Sequence, residues 1–180
     1  MFSLKSYFSI PVFVLAISIL LNIPAEVTNA QTVIRIGVFD SRAVAVAYYN
    51  SDFSNNYRQI FQSLATQMQE AKSKDDKEAI AKIEREATLR QAILHEQGFG
   101  TGSVINITET VKDSLIKLAN EENLSAIVSK WEISFSNNNV ELIDITEKIV
   151  HFFDPNDQMK DMVKEIMQTE VVKDAYLIED

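Results

Sequence analysis

Val33-Ile34-Arg35-Ile36-Gly37-Val38-Phe39 is an almost unbroken apolar run rich in β-branched residues, and it predicts a mostly buried strand. Asp40 and Ser41 follow, both good helix caps. In Arg42 to Tyr49, Val44, Val46 and Tyr48 alternate with alanines, which a second strand also allows. Alanines at 43, 45 and 47 favour a short helix. Asn50 to Asn56 is polar and turn-rich, and reads as a loop.

Tyr57, Ile60, Phe61, Leu64 and Met68 recur at spacings of three and four, the apolar stripe of a helix over about 56–72. Ser73-Lys74-Asp75-Asp76 breaks it, and Asp75 or Asp76 can cap what comes next. Lys77 to Gln97 then runs on strong helix formers, with Ile80, Ile83, Ala87 and Leu94 near a heptad. Arg90 interrupts that stripe, so the seam is thin. The two segments predict an antiparallel helical hairpin joined by a tight turn. Gly98, Gly100 and Gly102 then read as a hinge, with glycine supplying positive φ. Ser103 is expected to cap a third helix to about Asn123, with Val104, Ile107, Val111, Leu115 and Leu118 on one face.

Leu124 to Trp131 reads as a strand, and Glu132-Ile133-Ser134-Phe135-Ser136 as a half-exposed one. Asn137-Asn138-Asn139 is a turn, and Val140 to Ile143 is a short extended piece. Asp144 is expected to cap a helix through Phe153, with Glu147 in the capping-box position. Beyond Asp154-Pro155, Met159, Met162, Val163 and Ile166 mark one more helical face. Residues 154–180 are strongly acidic and read as an appended helix with a frayed tail. The fold class is therefore α+β: a small β-body with strands near 33–39, 124–136 and 140–143, a projecting antiparallel hairpin, and a C-terminal helix. The domain plan is 1–30, 31–153 and 154–180.

Composition changes this picture in two places. The chain has 180 residues and no cysteine, which excludes disulfides, Cys-ligated metal, a thiol nucleophile and a bacterial lipoprotein anchor. The net charge of −9 argues against general nucleic-acid binding. Residues 1–30 form a separate unit: Lys5, an apolar run from Tyr7 to Ile23, then Thr28-Asn29-Ala30. That is a secretory signal pattern with cleavage after Ala30, favoured over a retained membrane anchor by Pro24 and by the strand that follows at once. No later run is apolar enough to span a membrane, so the mature chain is expected to be exported to the periplasm or secreted, without an integral membrane segment.

No catalytic residue, metal site or cofactor is expected. The glycine loop ahead of a helix could present N–H groups to a phosphate, but it follows a helix, lacks a Gly-Lys-Ser/Thr ending and has no neighbouring base. His95 and His151 lack metal spacing and read as surface residues. No serine sits in a nucleophile elbow. Two Asn-x-Ser/Thr sequons, at Asn106 and Asn123, fall in or at the end of a predicted helix and carry little weight. Tyr57, Ile60, Phe61, Leu64 and Met68 form a greasy stripe that either packs on its neighbour or stays open to apolar partners.

The order of these elements resembles the Skp/OmpH family of periplasmic chaperones. Residues 33–44 are similar to that family's first strand and short helix. Leu124–Val128, Ile133–Phe135 and Val140–Ile149, with Asp144-Ile145-Thr146 before the last helix, are similar to its C-terminal closure. The resemblance implies strands of several copies, in the family three, joined into a β-body with hairpins around an unfolded outer-membrane protein. It would make Val33, Ile36, Val38, Ile127, Val128, Ile133 and Phe135 oligomer-forming body positions, and the 57–97 arm client-facing. A second expectation is a periplasmic structural or adaptor protein that docks a folded partner through the acidic C-terminal helix.

Overall fold

In a computed structural model, which describes residues 33–178, Ile34–Phe39 forms strand β1 at the centre of a three-stranded parallel sheet. The expected export signal lies outside the described residues. β2 (Ala126–Ser129) runs along one edge of β1, with Ile36 opposite Ala126 and Val38 opposite Val128. β3 (Val140–Asp144) runs along the other, with Ile34 opposite Val140 and Ile36 opposite Leu142. Parallel neighbours need a long crossover, and the helices between β1 and β2 provide it.

Helix α1 (Ser41–Tyr49) starts where the cap residues place it, with the Asp40 side chain accepting from the Arg42 N–H. Ala43, Val44, Ala45 and Ala47 are wholly buried. A helix apolar on most sides must be covered on most sides. Here α3 (Lys77–Gly98), α6 (Thr146–His151) and α7 (Asp157–Gln168) all pack on α1. The alternating valines that left a strand open therefore lie on a buried helix.

Helix α2 (Asn55–Ser73) meets α3 through a small second core of Leu64, Ala71 and Ile83, flanked by Ile60, Met68, Ala79 and Ile80. The three-residue link contains Asp75 at φ 52°, and Asp76 caps α3 by accepting from the Ala79 N–H. Nearer the body, the Tyr57 hydroxyl donates to the Arg90 carbonyl at 3.2 Å.

The single helix expected over 103–123 is divided. Ile105–Thr108 is a short α4, Glu109–Val111 a 3₁₀ turn, and Lys112–Glu121 helix α5. The cap position falls on Val104, with no side-chain cap bond, rather than on Ser103. The break has a local cause: β-branched residues crowd positions 104–111, and the Thr108 and Thr110 hydroxyls bond back to the carbonyls of Ile105 and Ile107. The expected strand over 124–136 is also shorter. It ends at Ser129, whose hydroxyl accepts from the Trp131 N–H and starts a 3₁₀ turn over Lys130–Glu132. Ile133 and Phe135 lie in the irregular connection to β3.

The segment after Asp154 shares the main core. Met159 and Val163 of α7 are buried in one cluster with Phe39, Val44, Ile107, Ile149 and Phe153. The exposed Asp157 and Asp161 report the solvent side of α7 and not its apolar face. Asp144 does act at the start of α6, accepting from the Thr146 N–H, although the cap position is Ile145.

Candidate functional site

The two faces of the sheet differ. Gly37 turns inward, where an added Cβ would lie 2.7 Å from Ile145 Cδ1 and 2.8 Å from Leu124 Cδ1. Phe39 is buried in the main core, and Ile127 and Ile143 pack against it. By the two-residue period, Ile34, Ile36 and Val38 point the other way, with Ala126 and Val128 beside them on β2 and Val140 and Leu142 on β3. None of these is buried, and none belongs to the core or to the side chains packed against it. Ile34 is 46 % exposed and Leu142 42 %. Phe135, in the connection to β3, is 83 % exposed. The result is a thinly covered aliphatic surface on a sheet whose two edge strands have no further strand beside them among the described residues.

Of the expected body positions, Ile36, Val38 and Val128 share this outer face, with Val33 exposed just before β1. Ile127 does not: one residue from Val128, it turns to the core. Ile133 and Phe135 sit off the strands. Ile34, Val140 and Leu142 are additions that the register of β3 supplies.

A buried charge cluster closes the carboxyl end of β1. Asp40 is fully buried, and its carboxylate accepts from Arg42 Nε at 3.1 Å, Arg42 Nη2 at 2.9 Å and Lys130 Nζ at 2.8 Å. Burial alone would raise the Asp40 carboxyl pKa; the bonds and charges of Arg42 and Lys130 outweigh it and hold the group below its ordinary value. Trp131 lies against both cations, 5.1 Å from the Arg42 guanidinium carbon and 4.4 Å from Lys130 Nζ. Arg42 Nη1 also donates to the Thr169 carbonyl at the end of α7. This cluster ties β1, β2 and α7 together. An Asp cap followed two residues on by Arg reads the same in sequence whether it is exposed or buried.

The greasy stripe of α2 divides in two. Leu64 is buried against α3 and Met68 and Ile60 flank it, so this part packs on its neighbour. Tyr57 and Phe61 remain half-exposed, their tilted rings 5.1 Å apart, with Tyr49 a further 5.1 Å from Tyr57. With Arg58, Gln62 and Leu94 they line an open groove of about 420 Å³. The groove's root is fixed by Gln97, which is buried. Its side chain accepts from the Tyr49 hydroxyl at 2.6 Å and donates to Ser103 O and Asn106 Oδ1.

No glycine of the 98–102 loop has positive φ, which corrects the expected reason for their presence. At Gly100 and Gly102 the requirement is space: a Cβ at Gly100 would come within 3.0 Å of the Glu96 carbonyl, and one at Gly102 within 2.9 Å of the Glu96 carbonyl carbon, whereas one at Gly98 would meet nothing within 4 Å. His95, expected on the surface, is buried, with its ring 6.0 Å from that of Phe99. His151 is exposed.

Among the described residues no group of three or more His, Cys, Asp or Glu is placed to hold a metal ion, and no helix is long and apolar enough to cross a membrane. No family model, curated protein or solved structure matches this chain.

Proposed function

We infer that this chain is an exported, non-enzymatic, chaperone-like protein of Skp/OmpH type, which self-associates and holds apolar segments of unfolded or outer-membrane proteins. The observation that carries the reading is the outer sheet face, with Ile34, Ile36, Val38, Val128 and Leu142 outside the core. Contiguous aliphatic surface of this kind marks an association site. In this reading a second copy covers the face, α2 and α3 project as an antiparallel hairpin, and the Tyr57–Phe61 groove offers each client an aromatic surface with Arg58 at its rim. The adaptor alternative has less support, because the apolar side of α7 that would dock a partner is already occupied within the core.

Light scattering behind size exclusion on residues 31–180 tests the reading. The expected result is an oligomer that Leu142→Glu and Ile36→Glu dissociate to monomer without loss of helical signal. Suppression of the aggregation of an unfolded outer-membrane protein is the companion assay, and the Tyr57→Ala, Phe61→Ala double variant should weaken it. A monomeric wild-type chain overturns self-association, and no suppression at excess protein overturns the client role.

A further inference from the structure

The chain does not end with α7. After Thr169 it folds back across the end of α3, within the same compact unit, Val33–Asp180, that holds the sheet. The Val172 N–H donates to the Phe99 carbonyl at 3.0 Å, and the Tyr176 N–H donates to Glu96 Oε1 at 3.0 Å. Ala175 between them is wholly buried, and an added Cβ at Gly100 would lie 3.2 Å from its Cβ. Gly100 is thus the notch into which Ala175 fits. Other parts of the strap are open to solvent: Tyr176 is 51 % exposed and Leu177 67 %. Beside it stands a cleft of about 350 Å³, lined by Ile93, Glu96, Gln97, Gly102, Ser103 and Tyr176, which the strap leaves unfilled.

We propose that this groove is a peptide-binding site that the chain's own C-terminal strap occupies in cis, and that it accepts a short apolar peptide carrying a small residue, an aromatic residue and a positive charge. The strap shows the mode: two backbone N–H groups donate to Phe99 O and Glu96 Oε1, and a small side chain enters the Gly100 notch. The unfilled cleft gives an aromatic side chain room beside that notch. Charge supplies the preference. Among the residues lining the cleft Glu96 alone is charged, while the strap beside it carries Asp174 next to Ala175 in a chain of net charge −9. A cation at position 174, two residues before the Tyr176 N–H that the Glu96 carboxylate accepts, adds attraction where the strap carries a negative charge. The site refines the reading of an apolar-segment binder, on which it rests. It is separable from self-association, because it lies at the end of α3 and uses no strand residue.

The test titrates residues 31–180 with a fluorescein-labelled peptide of residues 169–178, and with the same peptide carrying Asp174→Lys. In the wild-type protein the cis strap competes. Ala175→Glu places a charge in the notch, and Val172→Pro removes the N–H bonded to Phe99, so each releases the strap by an independent route. The expected result is at least tenfold tighter peptide binding by either variant than by wild type. The lysine peptide should bind at least threefold tighter than the parent at low salt. Gly100→Val in the Val172→Pro background should abolish binding. Helical circular dichroism identifies any variant that fails to fold, and the folded one decides. Equal binding by wild type and a folded variant, or no binding by that variant, overturns the site. If the peptide fails while the wild-type chain is oligomeric and suppresses aggregation, the groove falls and the proposed function stands.

Discussion

Asp40 and Arg42, two residues apart in the chain, meet side chain to side chain in the interior, with Nε 3.1 Å from Oδ1 and Nη2 2.9 Å from Oδ2. Both side chains are almost wholly shielded from solvent. Removing either partner leaves the other desolvated, a loss of about 3–5 kcal/mol for a buried pair. Asp40→Asn should therefore cost much of the stability of the body, and Arg42→Ala should do so as well while also freeing the Thr169 carbonyl. Urea unfolding of each variant measures this. A loss below about 1 kcal/mol would place the pair with exposed ion pairs.

The same carboxylate predicts a direction with pH. Its folded-state pKa lies below the ordinary value, so its contribution is present above that value and disappears as pH falls through the folded one. The stability gap between wild type and Asp40→Asn should be flat from about pH 7 to pH 5 and shrink below about pH 4, where unfolded carboxylates protonate. Urea midpoints collected across that range check it. A gap that widens in acid would reverse the sign.

Much of the fold is legible in the sequence where one period runs long enough. The stripe from Tyr57 to Met68, the break at 73–76 and the Asp76 cap locate α2 and α3 within a residue or two. What is not legible depends on partners distant in the chain. Alternation at 132–136 looks like a strand, but Ser129 caps the Trp131 N–H first and ends β2. The stripe of α7 says that a face is covered but not that α1 and the main core cover it. Ile127 and Val128 are equally apolar, and only the register with β1 assigns one inward and one outward. The burial of His95 and of the Asp40–Arg42 pair has no sequence signal, because the same residues serve exposed helix ends equally well.

Gly37 offers a test of the inner sheet face. Any side chain there meets Ile145 and Leu124 below 3 Å, and both are packed within or against the core. Gly37→Ala should destabilise by about 1–3 kcal/mol through overpacking, although alanine is normally the better residue for a strand than glycine. Thermal unfolding reports the loss. Pairing Gly37→Ala with Ile145→Val, which removes the methyl that Cδ1 represents, should recover part of it, since the two positions share the contact.

The two cores predict that unfolding is not uniform. Leu64, Ala71 and Ile83 form a cluster separate from the one that holds Phe39, Val44 and Ile149. Few residues stabilise it, and most of the α2 and α3 side chains around it are exposed. Segments with few buried apolar contacts open below the global free energy. Leu64→Ala removes the middle of the small cluster and should cost about 2–4 kcal/mol there. Because the main core is untouched, that loss should appear as local opening. Amide exchange over residues 60–86 should accelerate by about 30- to 700-fold, at 1.4 kcal/mol per factor of ten, while β1 and α1 keep their protection. Ile83→Ala should give the same map from the opposite helix, and the double variant should lose less than the sum of the two, since the second truncation removes contacts already weakened. Equal acceleration across β1 and α2 would show one cooperative unit and join the two clusters energetically.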